Sequence, residues 1–266
     1  MKKVIWLVSA IVFIAAIIIG VKSVATKTDT KTLMFEDDEM QETIKNATIQ
    51  YGVREREESF KEEHIDGITR LNIGYTGYYT TLLDIKKCKN LKLLIIGKPN
   101  YSMGDHYYKA SEIKPILESE ERINQIQKEL GDILHSCTKM WGLEIFNGEG
   151  TCELNSLEFL RDSENLQHVY ICGQKNIDYS PLFTCKELIV LELSGSDVSN
   201  LDGIEGLKKL RTLDIRNTSI SESSDIIQIE NLENLRIAGT PLAKNEEELA
   251  TIREIFPDVV IDIDSY

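Results

Sequence analysis

Three stretches decide the fold: Leu188-Ile-Val-Leu191-Glu-Leu193, Leu210-Arg-Thr-Leu213-Asp-Ile215 and Leu232-Glu-Asn-Leu235-Arg-Ile237. Each reads Leu-x-x-Leu-x-Leu, with Ile admitted at the last place. Leu166, Val169 and Ile171 form a fourth copy, so the starts fall at 166, 188, 210 and 232, an interval of 22 residues each time. Looser copies begin at Ile68 (with Leu71 and Ile73), Leu91 (Leu94, Ile96) and Met140 (Leu143, Ile145), and Phe256, Val259 and Ile261 make an eighth. Apolar columns recurring at a fixed interval mark a stacked repeat, because one such unit cannot bury its apolar side alone.

A second column lies six and three residues before each start: Ile85 and Cys88, Leu134 and Cys137, Leu182 and Cys185, Ile204 and Leu207, Ile226 and Ile229. A spacing of three suits a 3₁₀ turn. Each unit is then a short strand, a turn and a loose back segment, which predicts an α/β repeat solenoid with a parallel sheet.

These columns resemble the bacterial leucine-rich repeat proteins with short, internalin-like repeats. The resemblance covers roughly residues 35–266. It implies a curved, right-handed solenoid with the parallel β-sheet on its concave side, an N-terminal cap helix and a C-terminal helix-strand cap. Long repeats of this kind carry Asn after the strand, where it bonds the next coil. That place is held here by Thr76, Ser196, Thr218 and Thr240, as the short form has it, and Val198, Ile220 and Leu242 then turn inward. Residues 35–67 fall to the N-terminal cap, 68–255 to the repeats and 256–266 to the closing strand. The acidic, amphipathic segment from Phe35 to Ile44 resembles the cap helix of these proteins. Asn245 reads as the N-cap of a last helix, with Glu248 as its capping-box partner and Pro257 as its stop.

One interval is out of step: 49 residues separate Leu91 from Met140. Within segment 98–139, Ile116, Ile123, Ile126, Leu130 and Ile133 recur at helical spacing between Ser111 and Leu134, with Pro115 near the start. The segment reads either as a degenerate repeat or as an inserted helix that projects or folds over the sheet. Tyr101, Tyr107 and Tyr108, just ahead of it, make a secondary candidate binding site.

At the N-terminus, Lys2 and Lys3 precede an apolar run from Val4 to Val21, broken only by Ser9 and Gly20. Such a run reaches the roughly 18–20 residues of a membrane anchor, and Ser23-Val-Ala25 supplies a signal-peptide cleavage site. Under either reading residues 1–25 lead an exported body, held by a single pass over residues 4–21 or secreted. Residues 26–34 are a polar linker.

The chain carries 30 Lys and Arg against 44 Asp and Glu; residues 26–266 carry 27 against the same 44, a net −17. Such a body is repelled by a phosphate backbone, so nucleic acid is excluded as a partner. Five cysteines are too few for a disulfide scaffold. Cys88, Cys137 and Cys185 fall in the apolar back column and read as packed thiols. Cys88 and Cys137 also hold equivalent places in successive coils, where a disulfide would fit, and Cys152 and Cys172 admit the same reading. His64, His106, His135 and His168 form no metal-binding pair of the His-Glu-x-x-His kind, and no nucleophile elbow, phosphate loop or dinucleotide fingerprint occurs. No metal, cofactor or catalytic residue is expected.

Side chains alternate along a strand, so the residues between the leucines face outward. The middle outward column reads Asn72, Ile95, Glu144, Tyr170, Glu192, Asp214, Arg236. The next reads Gly74, Gly97, Phe146, Cys172, Ser194, Arg216, Ala238, and the one before holds His168, Val190, Thr212 and Asn234. Phe146, His168, Tyr170, Glu192, Asp214, Arg216 and Arg236 are the candidate binding surface, an aromatic centre beside mixed charges. The alternative is that Asp214, Arg216 and Arg236 only pair with one another across strands. The expected function is non-catalytic binding of a protein through the concave face, which the resemblance extends to cell-surface adhesion or recognition. Alternatives are a self-associating envelope protein, a glycan-binding protein, or a hydrolase using His106 or His135 of the insertion.

Overall fold

In each coil the leucines of the repeat point one way and the intervening residues the other, and stacking the coils aligns both sets. The computed structural model describes residues 34–98, 118–148 and 152–264. Among them run β1 (Arg70–Asn72), β2 (Leu93–Ile96), β3 (Gly142–Phe146), β4 (His168–Cys172), β5 (Val190–Glu192), β6 (Thr212–Asp214), β7 (Asn234–Arg236) and β8 (Val260–Asp262). They form one parallel sheet in sequence order. Its register joins Leu71, Leu94, Leu143, Val169, Leu191, Leu213, Leu235 and Ile261 in an inward row, and Asn72, Ile95, Glu144, Tyr170, Glu192, Asp214, Arg236 and Asp262 in an outward one. The first seven copies of the sequence fall in this register, whereas in the eighth it is Ile261, not the expected Val259, that stands beside Leu235.

Each of six coils leaves the sheet through a left-handed residue: Gly74, Gly97, Gly173, Gly195, Asn217 and Gly239. At Gly97 the turn is so close to the next coil that a Cβ would stand 1.8 Å from the carbonyl oxygen of Phe146. Gly74 and Gly97 thus contribute chain reversal to their outward column rather than a contact side chain. From Gly173 onward the reversal comes one residue later in the repeat, which frees Ser194 and Arg216 to project. Ser196 bridges coils, accepting from the amide of Gln174 and donating to the carbonyl of Ile171, whereas Thr218 and Thr240 close their own turns on Ile215 and Ile237.

On the back, four coils close with bonds spanning three residues, Cys88 to Ile85, Cys185 to Leu182, Leu207 to Ile204 and Ile229 to Ile226, at 2.9–3.1 Å. Helix α1 (Asp38–Gln50) precedes β1 and buries Met40, Ile44 and Ala47. Helix α2 (Glu120–Ser136) takes the place of the back turn between β2 and β3. It packs on the turns Leu83–Lys87 and Glu158–Leu160 of the flanking coils, so it neither projects nor folds over the sheet. Being α-helical, it closes with a bond from Cys137 to Ile133, four residues back, at 2.8 Å. Ile133, not Leu134, therefore occupies the apolar column, and Leu134 is only half-buried.

Helix α3 (Glu246–Ile255) starts on Asn245, whose side chain accepts from the amides of Glu247 and Glu248. The capping box expected there does not form. The Glu248 carboxylate accepts instead from the amide and hydroxyl of Ser223 in the preceding coil, tying helix to solenoid.

All five cysteines are buried free thiols. The Cys88–Cys137 bridge is absent, because Cys137 Sγ is directed at the carbonyls of Ile85 and Cys88, 3.9 and 3.8 Å away. Burial pushes the thiols of Cys88, Cys152 and Cys172 up to about 12 and that of Cys185 to about 11, so they stay protonated and unreactive.

Candidate functional site

The outward face of the sheet gathers its aromatic side chains on β3 and β4, because those strands place large residues in neighbouring outward columns. The Phe146 and Tyr170 rings meet edge to face with centroids 6.4 Å apart. His168 meets Trp141 in the same manner at 5.0 Å. Burial lowers the His168 imidazole below its ordinary value, which leaves it neutral at pH 7. Lys98, on the chain leaving β2, holds its ammonium 4.8 Å above the Phe146 ring.

Tyr170 stands in register between Glu144 and Glu192. Its burial and those two carboxylates push the phenol up. Burial likewise raises the Glu144 carboxyl, which Lys98 and Arg70 draw down and Glu192 raises further. Glu192 accepts from the Ser194 hydroxyl at 2.9 Å and from Cys172 Sγ at 3.6 Å. No basic side chain lies within ion-pair distance of Glu144 or Glu192 among the described residues.

Two strands further on the charges are arranged differently. Asp214 is 1% exposed. Arg216 Nε lies 2.9 and 3.0 Å from its two oxygens, Arg216 Nη2 2.6 Å from Oδ2, and Arg236 Nη1 3.6 Å from Oδ2. The carboxylate therefore sits beneath two guanidiniums and is not presented to a partner, and Asp262 lies in register beside Arg236. Of the candidate residues, Phe146, His168 and Tyr170 come together, Glu192 borders them, and Asp214, Arg216 and Arg236 form a separate paired cluster. Tyr101, Tyr107 and Tyr108 lie outside the described residues, as do residues 1–25 and His106. Trp141 and Lys98 were not legible as site residues, since both stand outside the alternating columns; Glu144 stood in the middle column and its place beside Tyr170 was readable.

A cleft of about 510 Å³ lies elsewhere, between the end of α2 and the turn at 161–166, lined among others by His135, Thr138, Phe159, Asp162 and Glu164. It contains none of the sheet-face residues. Among the described residues no group of three or more His, Cys, Asp and Glu side chains is placed to hold a metal ion. No helix there is long and apolar enough to cross a membrane.

A parallel sheet built one strand per coil, 3₁₀ turns on the back and a Leu-x-x-Leu-x-Leu column inside define a leucine-rich repeat solenoid. No protein-family model matches the sequence, and no curated protein does. Solved structures do: internalin C2 of Listeria monocytogenes is similar over 86% of this chain and 94% of its own, with a TM-score of 0.53 and 20% identity. A leucine-rich repeat protein of Leptospira interrogans matches 68% of this chain with a TM-score of 0.48 and 22% identity, and the match spans 39% of that protein's length. A second Listeria internalin, internalin F, matches 87% of this chain and 91% of its own with a TM-score of 0.42 and 13% identity. At such identities the likeness is one of fold, and it is the fold that the repeats implied.

Proposed function

We propose that this chain is a protein-binding module that engages its partner through the outward face of the sheet. The observation that carries the reading is the half-exposed aromatic group of Phe146, His168, Tyr170 and Trp141 at the middle of a continuous eight-stranded sheet. Strands about 4.8 Å apart make a face roughly 34 Å across. That is wide enough for the about 800 Å² per partner that a specific complex uses. Central aromatic residues are where such interfaces concentrate their affinity. The apolar run Val4–Val21 behind Lys2 and Lys3 supports an exported setting for the module.

The test is capture of partners by the full chain, compared with a Phe146→Ala, Tyr170→Ala double variant of unchanged circular dichroism. The reading requires a protein held by the native face and lost with the variant. Capture of the same set by both sinks it. A face that binds only oligosaccharides on a glycan array replaces it with carbohydrate recognition.

A further inference from the structure

We infer that the region around Tyr170 receives a lysine or arginine side chain of the partner protein. This rests on the proposed binding role of the sheet face and names the chemistry of its occupant.

Charge along the central outward row divides into two parts. Across β6–β8 it cancels internally: Asp214 is covered by Arg216 and Arg236, and Asp262 stands beside Arg236. Across β3–β5 no ion pair among the described residues covers the carboxylates. Glu144 and Glu192 stand one strand to either side of Tyr170, two strands or about 9.6 Å from each other, and among the described residues the Glu192 side chain bonds the neutral Ser194 and Cys172. Lys98, stationed over the Phe146 ring, and Arg70 act on Glu144, and Arg216 acts on Glu192, but none of the three forms an ion pair with these carboxylates. A half-buried carboxylate with no ion-pair partner is only partly compensated by cations acting at longer range, and a cation supplied from outside at close range adds to that compensation.

The dimensions suit such a guest. A cation centred over Tyr170 stands about 5 Å from each flanking strand. It also comes within the about 6 Å over which an aromatic face attracts a positive group. His168, next to Tyr170 on the same strand, is neutral at pH 7 and does not repel it. The net −17 over residues 26–266 opposes a second copy of the chain as occupant, and equally an acidic partner.

The experiment is selection of a random twelve-residue peptide display library on the immobilised full chain, in low salt, followed by affinity measurement on resynthesised peptides. The inference expects enriched peptides to share a Lys or Arg whose replacement by Gln weakens binding at least tenfold. Glu144→Gln and Glu192→Gln, which change charge and not shape, should each weaken the same peptides several-fold, and together by more than tenfold, with no loss of melting temperature. Peptides that depend on Phe146 and Tyr170 but carry no basic residue, and ignore the Glu→Gln variants, leave the binding face standing and overturn the cation reading. Peptides indifferent to all of these substitutions overturn both. A selection that enriches nothing basic overturns the inference.

Discussion

Asp37 fastens three groups with one carboxylate. Oδ1 accepts the amide of Met40 at 2.7 Å, capping α1, while Oδ2 accepts the amide and hydroxyl of Thr80, each at 2.7 Å. Its own amide and that of Glu36 donate to Asp84 Oδ2 at 2.9 and 2.8 Å, and Asp84 is itself fully buried and paired with Lys87. Two carboxylates therefore join the first helix to the segment around β2. Burial pushes the Asp37 carboxyl up, but the hydroxyl of Thr80 and the amides of Met40, Thr80 and Thr81 together outweigh it and hold it below its ordinary range. A carboxyl lowered by folding contributes stability that is complete above the unfolded value, near 3.9. It is lost as the pH falls through the folded value. Asp37→Ala removes a cap worth about 1 kcal/mol. It also removes both bonds to Thr80, which is exposed, so water can replace them and the net loss is about 1 kcal/mol. We expect a loss of about 2 kcal/mol at pH 7 by urea denaturation. The difference from wild type should narrow below pH 4. A difference that holds constant down to pH 2 would show that the charge does not carry the effect.

Helix α2 shows how an element can break the period of a repeat without breaking the stack. Its polar side chains reach both neighbours: Arg122 and Gln125 donate to the carbonyls of Tyr79 and Thr80, Glu129 accepts the Leu82 amide, and Gln127 accepts the amides of Asn155 and Ser156. Its apolar side, Ile123, Ile126, Leu130 and Ile133, fills the interior. A 3₁₀ turn presents every third residue and an α-helix every third to fourth, so the column shifts by one place where the helix replaces the turn. Ile133→Ala should cost about 2–4 kcal/mol and Leu134→Ala under about 1. Equal losses in thermal or urea unfolding would restore the three-residue spacing and refute the helical closure. The same distinction explains what was legible. Strand positions and register followed from the 22-residue interval, because stacking forces equivalent residues side by side. A spacing of three taken from the turns points to Leu134, whereas the helical closure puts Ile133 in the column. The burial of Asp214 was not readable either, since it depends on how Arg216 and Arg236 fold over it, a matter of side-chain direction rather than spacing. Glu248 pairs with Ser223 instead of its own helix start for a similar reason: a donor pair from the preceding coil competes, and local sequence does not display it.

At the scale of the molecule, a charge of one sign opposes a feature that invites self-association. Strand β8 pairs only with β7 among the described residues, and Val260, Ile255 and Ile263 near it are 64%, 45% and 37% exposed. An uncovered edge with apolar side chains is a template for another strand. The net −17 of residues 26–266 repels a second copy at long range. That repulsion acts over about 10 Å in 0.1 M salt and about 3 Å in 1 M. Residues 26–266 should therefore scatter light as a monomer in dilute salt and gain mass as salt is raised. Val260→Lys should abolish the gain by placing a charge on the edge, while Glu144→Gln, several strands away, should leave it unchanged. A mass that stays monomeric in 1 M salt means that the edge is protected by its own geometry and that charge is not what keeps copies apart. A gain that survives Val260→Lys and disappears with Tyr170→Ala moves the contact to the sheet face, and the face reserved here for a basic partner would then be the one by which the protein meets itself.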